Sequence, residues 1–316
     1  MEAAVEKQRK WLVASGWSEF LCVHALSTNG QLLHCAVELP QHERSRGRRG
    51  RRNAEEQVRQ IYRKLAQVWG PQHWWPAETP FEVMVGAILT QNTAWANVER
   101  AIANLRSAAV LSLEGIRNIS LSELESLVRP SGYFRQKAGR LKDLVAFVDA
   151  TYNGLLQQMF AKPTEQLRSE LLGQKGIGPE TADSILLYAG LHPVFVVDAY
   201  TRRILERHGI LNASAKYDDI RLLVQRALEE EEIPVGIAAG SSRPVVHSPS
   251  VMSMAQQSQR ARVYSEMHGL LVQVGKHYCH KQRPHCDRCA LGELLSPRQR
   301  AQLQAVSKSK GTRAAV

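Results

Sequence analysis

The chain has 316 residues, enough for two ordinary domains, and 44% hydrophobic with 22% charged residues is a globular composition. No apolar run approaches the roughly eighteen residues of a transmembrane helix, and the N-terminus lacks the apolar stretch of a secretory signal. The formal net charge is +11, but it is concentrated in the Arg-rich run 44–52 and in the tail 296–316. Such arms attract phosphates and are equally compatible with solvated, disordered segments, so charge alone does not establish DNA binding.

Residues 1–52 are predicted to form a separate N-terminal extension. Apolar runs at 20–26 and 31–37 flank an Asn29-Gly30 pair, which is typical of a β-hairpin. The Arg/Gly run 44–52 that follows is expected to be a flexible linker.

From Asn53 onward, apolar residues recur at helical spacing and strand patterns are absent, so the body is predicted to be all-α. The segment 81–89 is apolar on nearly every side, which predicts a central, buried helix. Ser120 and Glu123 have the spacing of a capping box. Residues 234–259 are rich in Gly, Ser, Pro, Gln and Met without a period, which predicts a disordered insertion.

The segment 171–182 contains the most informative pattern, a helix end at Gly173, a Gly-Ile-Gly turn and a proline suited to begin the next helix. Gly176 and Gly178 permit backbone angles that a side chain forbids, and a buried Ile177 would fix the turn to the core. The free N–H groups of such a turn form an anion site that fits a backbone phosphate. An ordinary connection between two helices, with a glycine stop, is the alternative.

Asp198 follows an apolar run and opens a helix that closes at Gly209. Asp is a common helix N-cap, and this role alone accounts for its position. The functional alternative is a carboxylate at a domain junction whose charge faces a cleft. Both can hold at once, because the cap would fix the carboxylate in place.

The pairing of L-x-x-K-G-I-G-x-x-T-A with V-D-x-Y-x-x-R resembles the endonuclease III family of helix-hairpin-helix glycosylases, over residues 62–291. The resemblance implies two helical domains around a cleft: a six-helix barrel at 81–192, and a second domain built from 53–80 and 193–295. It also implies that double-stranded DNA with a damaged base lies across the cleft and that the base is flipped into a pocket. The expected phosphate-binding residues are Lys175, Gly176, Ile177, Gly178, Glu180 and Thr181.

By the same resemblance, Asp198 matches the family's essential carboxylate, which stabilises an oxocarbenium-like sugar and helps direct a water at C1′. Bifunctional members carry a lysine in the second hairpin helix, which forms a Schiff base. Glu180 occupies the matching position, and an acid cannot form an imine. Lys175 lies before the turn on a different face. The expected enzyme is therefore a monofunctional glycosylase that uses water.

Segments at 73–76, 89–95, 128–132 and 178–183 look like the 3-methyladenine glycosylase branch of this family, which excises alkylated purines. Such bases are electron-poor and leave readily, so a pocket can select them by stacking on aromatic faces. Gln91 would fill the gap in the base stack. Tryptophans also fill ordinary cores, which is the alternative reading of the aromatic candidates. The implied pocket residues are Trp74, Trp75, Trp95, Gln91 and Asn92.

Three cysteines are spaced C-x6-C-x2-C, at Cys279, Cys286 and Cys289. This spacing resembles the family's [4Fe–4S] motif, whose fourth cysteine falls here at Leu295. Either a histidine supplies the fourth ligand, or the cluster is labile or lost. The histidines considered are His277, His280 and His285. The basic residues around this site, which suit DNA phosphates in either case, are Lys276, Lys281, Arg283 and Arg288.

An odd number of cysteines is a poor disulfide framework and favours a reducing compartment. We therefore expect a cytoplasmic monomer, nucleoid-associated in a bacterium, with no membrane partner. Two other functions stay open: a glycosylase for another damaged base, and a non-catalytic helix-hairpin-helix DNA-binding protein. Asp198 argues against the second, because binding alone needs no carboxylate near phosphates.

Overall fold

The computed structural model describes residues 20–26, 32–38, 41–233 and 248–309. The chain divides into two compact units, Met1–Val58 and Arg59–Val316. In the first unit, β1 (Phe20–Leu26) and β2 (Leu32–Glu38) pair in an antiparallel two-stranded sheet. The predicted hairpin is confirmed in its strands, while the Asn29-Gly30 pair lies outside the described residues.

The Arg/Gly run lies within helix α1 (Gln41–Trp69). The prediction of a flexible linker over 44–52 is therefore wrong. Arg has a high helix propensity, and extending an existing helix costs far less than nucleating a new one. The helical stretch after Asn53 can therefore be continued backwards through this run despite its glycines.

The second unit is helical throughout its described part, which confirms the predicted all-α body. Short 3-10 or π turns lie at 129–131, 185–189 and 290–294. Among the described helices, none combines the length and the apolar character that crossing a membrane requires. After α1 the helices are α2 (Pro80–Leu89), α3 (Trp95–Ser107), α4 (Leu113–Asn118), α5 (Leu121–Val128), α6 (Phe134–Tyr152), α7 (Leu156–Phe160), α8 (Thr164–Leu172), α9 (Pro179–Ser184), α10 (Ala199–Arg207), α11 (Tyr217–Ala227), α12 (Gln259–His277) and α13 (Pro297–Ser309).

Helix α2 is the central, buried helix that the apolar segment predicts. Every residue from Phe81 to Leu89 is buried, and the helix packs against α3, α6, α9 and the 185–189 turn. Thr79 caps it, because its Oγ1 accepts a hydrogen bond from the Glu82 N–H at 3.1 Å. The capping box at Ser120 is also present, at the start of α5.

A buried ion pair joins α8 and α9, the two helices on either side of the glycine turn. Arg168 Nε donates to Asp183 Oδ1 at 2.6 Å, and the same guanidinium donates to Asp218 Oδ1 of α11 at 2.8 Å. Removing one partner of such a pair costs about 3–5 kcal/mol, because the other charge is left buried and unpaired. The two helices are therefore held in a fixed relation.

The segment predicted as a disordered insertion, 234–259, is only partly described. Residues 234–247 lie outside the described residues. At 248–259 the prediction is wrong: the Ala77 N–H donates to Ser250 Oγ at 3.2 Å, the Met252 N–H donates to the Ala77 carbonyl at 3.0 Å, and Met252 is buried. Composition suggested disorder, but hydrogen bonds and an apolar anchor dock this turn onto the chain before α2.

The basic tail 296–316 begins as a helix rather than as a disordered arm. Ser296 Oγ accepts a hydrogen bond from the Gln299 N–H at 3.3 Å, and Pro297 is the first residue of α13. A serine cap followed by proline is a good helix start. The division into a barrel at 81–192 and a second domain stays a prediction, since nearly all of both lies in the unit Arg59–Val316.

Candidate active site

The glycine turn between α8 and α9 has the helix ends that the sequence predicts. Gly173 is the C-cap of α8 and Pro179 the first residue of α9, and Ile177 is buried. Gly176 has φ of 80°, and a Cβ there would lie 2.2 Å from Arg140 Nε. The positive φ therefore favours glycine at this position, and Arg140 packs directly against it.

The outer side of this turn is open to an anion. Gly176 and Gly178 are exposed, and within the described part of the chain their N–H groups donate to no other group. Lys175 is exposed beside them, and Arg140 of α6 packs against Gly176. Arg140 was missed by the sequence analysis, because only the tertiary structure brings α6 to the turn. Unpaired N–H groups and two cations are suitable partners for a phosphate.

Gln91 links the loop after α2 to this turn. Its Nε2 donates to the Gly176 carbonyl at 3.0 Å and to Thr181 Oγ1 at 2.9 Å, while its Oε1 accepts from Arg140. Asn92, the next residue, is exposed with φ of 54°. Gln91 thus rests against the glycine turn, and its expected place in the base stack stays a prediction.

A buried lysine holds the start of the same loop. Lys137 Nζ donates to the Leu89 carbonyl at 2.8 Å and to the Ser131 carbonyl at 2.7 Å. Burial, and to a lesser degree the charge of Arg140, lowers the pKa of Lys137 to about 8. The lysine therefore ties the end of α2 to α6, next to the loop that carries Gln91.

Asp198 is the N-cap of α10, as predicted. Its Oδ1 accepts a hydrogen bond from the Thr201 N–H at 2.7 Å, and 13% of its side chain is exposed. The other oxygen, Oδ2, lies 3.8 Å from His268 Nε2. One oxygen is thus fixed by the helix, while the other makes no hydrogen bond among the described residues.

Glu180 is an acidic residue that the fold brings close enough to Asp198 for their charges to interact. Desolvation by the surrounding protein, and then the negative charge of Asp198, raise the pKa of Glu180 to about 7, although the residue keeps an exposed surface. This carboxyl therefore holds its proton to a higher pH than an ordinary glutamate does. The two acids are eighteen residues apart in the sequence and act on each other only in the fold.

His268 of α12 is a site residue that the sequence analysis missed. It is 4% exposed, its Nδ1 lies 2.6 Å from the Tyr188 hydroxyl, and its Nε2 has no hydrogen-bond partner among the described residues. Burial lowers the pKa of His268, and Asp198 opposes this shift only in part. In the sequence His268 lies within an apolar helical pattern, which gave no reason to place it beside Asp198.

The three predicted pocket tryptophans form one cluster, defined here as Trp74, Trp75 and Trp95. The ring centroids of Trp75 and Trp95 lie 5.0 Å apart in an edge-to-face arrangement. The centroid of Trp74 lies 6.0 Å from each of them. Trp74 and Trp75 are buried, whereas Trp95 is half-buried at the open side. Tyr188 lies 5.2 Å from Trp75 and connects the cluster to His268.

The three cysteines line one partly open cavity, together with Leu295 and the apolar residues around it. Burial raises the pKa of Cys289 to about 11, and Arg207 donates to Cys279 Sγ at 3.0 Å. The three histidines considered as the fourth ligand are not among the residues that line this cavity, and the fourth ligand stays a prediction; they are His277, His280 and His285. The histidine on the cavity wall is His208, at the end of α10.

The donors around this cavity suit a cluster better than a single metal ion. Among the described residues there is no group of three or more His, Cys, Asp or Glu that could hold a single metal ion. An iron–sulfur cluster differs, because each thiolate binds a separate iron at the periphery of a larger body. Three thiols around one cavity fit that arrangement at three positions, and Leu295 leaves the fourth without a thiolate.

A glycine turn between two helices, with N–H groups open to an anion, and a capped aspartate at the start of a later helix are the features expected of a helix-hairpin-helix protein. A family model described as HhH-GPD superfamily base excision DNA repair protein matches residues 85–230. The chain is 40% identical over 244 residues to the Methanocaldococcus jannaschii protein MJ1434, whose name assigns it to the DNA repair glycosylases. This match covers 77% of the chain and 97% of that protein.

Solved structures agree. The 3-methyladenine DNA glycosylase of H. pylori, bound to 1,N6-ethenoadenine, is similar with 30% identity and a TM-score of 0.55, over 71% of this chain and 97% of that one. A non-covalent endonuclease III–DNA complex shares the fold, with a TM-score of 0.59 at 20% identity. This match covers 79% of this chain and 98% of that one. The chain belongs to the HhH-GPD superfamily and is a DNA repair glycosylase related to endonuclease III.

Proposed function

We propose that the protein is a monofunctional glycosylase that hydrolyses the N-glycosidic bond of alkylated purines in duplex DNA. The observation that carries this proposal is the pairing of Asp198 with Glu180. The position at which lyase-active members of the family hold a lysine carries an acid, and this acid lies in the field of the capped aspartate.

DNA would be held at the glycine turn. The N–H groups of Gly176 and Gly178 have no partner among the described residues, and Lys175 and Arg140 add positive charge beside them. Contacts of this kind set the position of the duplex without reading its sequence. The loop of Gln91, clamped to the turn, would then lie against the strand that carries the target nucleotide.

The tryptophan cluster would select the flipped base. Trp95 is the member with exposed surface, and an electron-poor ring is attracted to such a π-face. The H. pylori relative, bound to a purine with an added ring, supports a substrate of this class.

Bond cleavage would depend on charge. As the base leaves, positive charge develops on the sugar, and the ionised Asp198 stabilises it and directs a water at C1′. Glu180 has no nucleophilic amine, so no covalent imine forms and the strand is left intact. Its partial protonation near pH 7 limits the repulsion between the two acids.

The cysteine cavity would hold an iron–sulfur cluster through Cys279, Cys286 and Cys289, with the imidazole of His208 as the fourth donor. Such a cluster would brace the basic loop around it for contact with DNA phosphates. Asp198 lies at the start of α10, whereas the cysteine cavity lies at its end. The chemistry at the sugar would therefore not involve the cluster.

The test is a panel of lesion duplexes scored for free base and for strand breaks before and after alkali. We expect release of alkylated purines, strand breaks only after alkali, and no adduct on borohydride treatment, with Asp198→Asn as the inactive control. Efficient borohydride trapping by the wild type would refute the monofunctional mechanism. Release of a different base would refute the substrate assignment alone.

A further inference from the structure

The structure contains a buried side-chain nitrogen that no described residue satisfies, next to the proposed catalytic carboxylate. His268 Nε2 has no partner among the described residues and lies 3.8 Å from Asp198 Oδ2. Buried polar atoms are nearly always paired, and the exceptions are often functional. The distance exceeds a hydrogen bond by about 1 Å, so a small movement of either side chain would close it.

The other ring nitrogen decides which tautomer is present. Tyr188 and His268 Nδ1 share a short hydrogen bond of 2.6 Å, in which either group can be the donor. If Nδ1 carried the proton, the lone pair of Nε2 would face the negative Asp198 and repel it. If the Tyr188 hydroxyl donates to Nδ1, the proton lies on Nε2 and points at the carboxylate, which is attractive.

We propose that His268 is a positioning residue, whose Nε2–H donates to Asp198 Oδ2 when DNA is bound and whose tautomer is set by Tyr188. Together with the Thr201 N–H on Oδ1, this gives each carboxylate oxygen one donor. The carboxylate is then oriented and kept ionised opposite the sugar. The inference rests on the proposed role of Asp198.

The same pair links the carboxylate to the base pocket. Tyr188 lies 5.2 Å from Trp75, and His268 lies 6.4 Å from Trp74. All four of these aromatic residues are buried. The tryptophans against which a base would stack are therefore packed together with the histidine that orients Asp198. A base stacked on these tryptophans would lie at a fixed position relative to the carboxylate.

The experiment compares full-length variants in single-turnover base release, on whichever lesion the wild type excises. His268→Asn keeps a polar group near Nδ1 and removes the donor to Asp198, whereas His268→Gln can place an amide N–H near Nε2. We expect His268→Asn to slow release roughly 10- to 100-fold, by analogy with the loss of a hydrogen-bond partner that orients a metal-ligating side chain. His268→Gln should restore the rate to within severalfold of the wild type, and affinity for undamaged duplex should be unchanged in both.

A matched control is available in His192. Its Nδ1 is also hydrogen-bonded, to Thr164 Oγ1 at 3.0 Å, and its buried Nε2 is likewise unpaired among the described residues. No ion pair joins it to an acid of the described chain. His192→Asn should therefore leave the rate of base release unchanged, while any general cost of replacing a buried imidazole appears in its thermal midpoint.

The outcomes separate the two proposals. A wild-type rate in His268→Asn, with Asp198→Asn inactive, would overturn this inference and leave the proposed function standing. Equal losses in His268→Asn and His268→Gln, with lowered thermal midpoints, would make His268 purely structural and overturn it as well. A normal rate in Asp198→Asn would refute both.

A spectroscopic measurement decides the matter even if the variants fail to fold. In the full-length wild type labelled with 15N-histidine, we expect a neutral imidazole with its proton on Nε2, assigned by its absence from His268→Gln or by its contact with the Tyr188 ring. A proton on Nδ1 would overturn the proposal.

Discussion

Replacing Asp198 by Asn and by Ala separates the two features that this residue combines, a helix cap and a negative charge. The carboxylate Oδ1 accepts a 2.7 Å hydrogen bond from the Thr201 N–H. Asn retains an acceptor oxygen at this position, whereas Ala removes it. The two variants should therefore differ in stability and agree in activity.

The magnitudes follow from these contacts. Loss of an N-cap side chain costs about 1 kcal/mol, and for a unit of this size that lowers the thermal midpoint by about 2–4 °C. Asn loses only the attraction between its charge and the helix dipole, about 0.3–1 kcal/mol, and relief of the repulsion with Glu180 offsets part of that loss. Removing the charge at the reacting sugar should slow base release by roughly 100- to 1000-fold in both variants.

The assay is single-turnover release of free base from a lesion duplex, together with thermal unfolding and binding to undamaged DNA. Near-normal release by Asp198→Asn would show that the residue is only a cap. A midpoint for Ala equal to that of Asn would show that the Thr201 hydrogen bond does not contribute to stability. Loss of DNA binding by Asp198→Asn would show that the charge contributes to DNA binding rather than to bond cleavage.

Three further predictions concern the surroundings of this carboxylate. Because the folded state holds the Glu180 proton more tightly than the unfolded state, the contribution of Glu180 to stability should fall as the pH rises from 4.5 to about 7. The stability of the wild type relative to Glu180→Gln should therefore fall over this range in urea unfolding, and a difference that does not change with pH would contradict the assignment. Trp95→Ala should reduce excision of alkylated purines by roughly 5- to 150-fold, as expected for about 1–3 kcal/mol of stacking. Because Trp75 is buried, Trp75→Ala should also cost about 3–5 kcal/mol of stability. If Trp95→Ala changes stability but not lesion preference, Trp95 belongs to the core. His208→Cys should raise the iron and acid-labile sulfide content of aerobic preparations, and His208→Ala should lower it. Wild-type protein purified anaerobically without iron would refute the cluster. Unchanged iron content in both variants would refute His208 as its fourth ligand.

Features that depend on residues a few positions apart were predicted correctly. Helical spacing of apolar residues indicated the all-α body, and Gly173 and Pro179 indicated the helix ends at the glycine turn. The caps at Asp198 and at Ser120 also followed from the sequence, because a cap is a hydrogen bond to a backbone N–H within the next three residues.

The errors arose where composition was used without knowledge of the packing. The Arg/Gly run 44–52 is helical because the following helix extends through it. The turn around Ser250 and Met252 is ordered because Ala77, far away in the sequence, supplies both a donor and an acceptor. The composition of a low-complexity stretch indicates only its local conformational preference, and tertiary contacts can override that preference.

The sequence by itself determined the family resemblance, the position of the glycine turn and the presence of an acid where a lysine would allow lyase chemistry. Only the tertiary structure placed His268 beside Asp198 and His208 at the cysteine cavity. The physical reason is that helix propensity and capping act along a few residues of backbone, whereas desolvation and the interaction of charges depend on every group that the fold packs nearby. The raised pKa of Glu180 is set by such neighbours, and no local pattern in the chain encodes it.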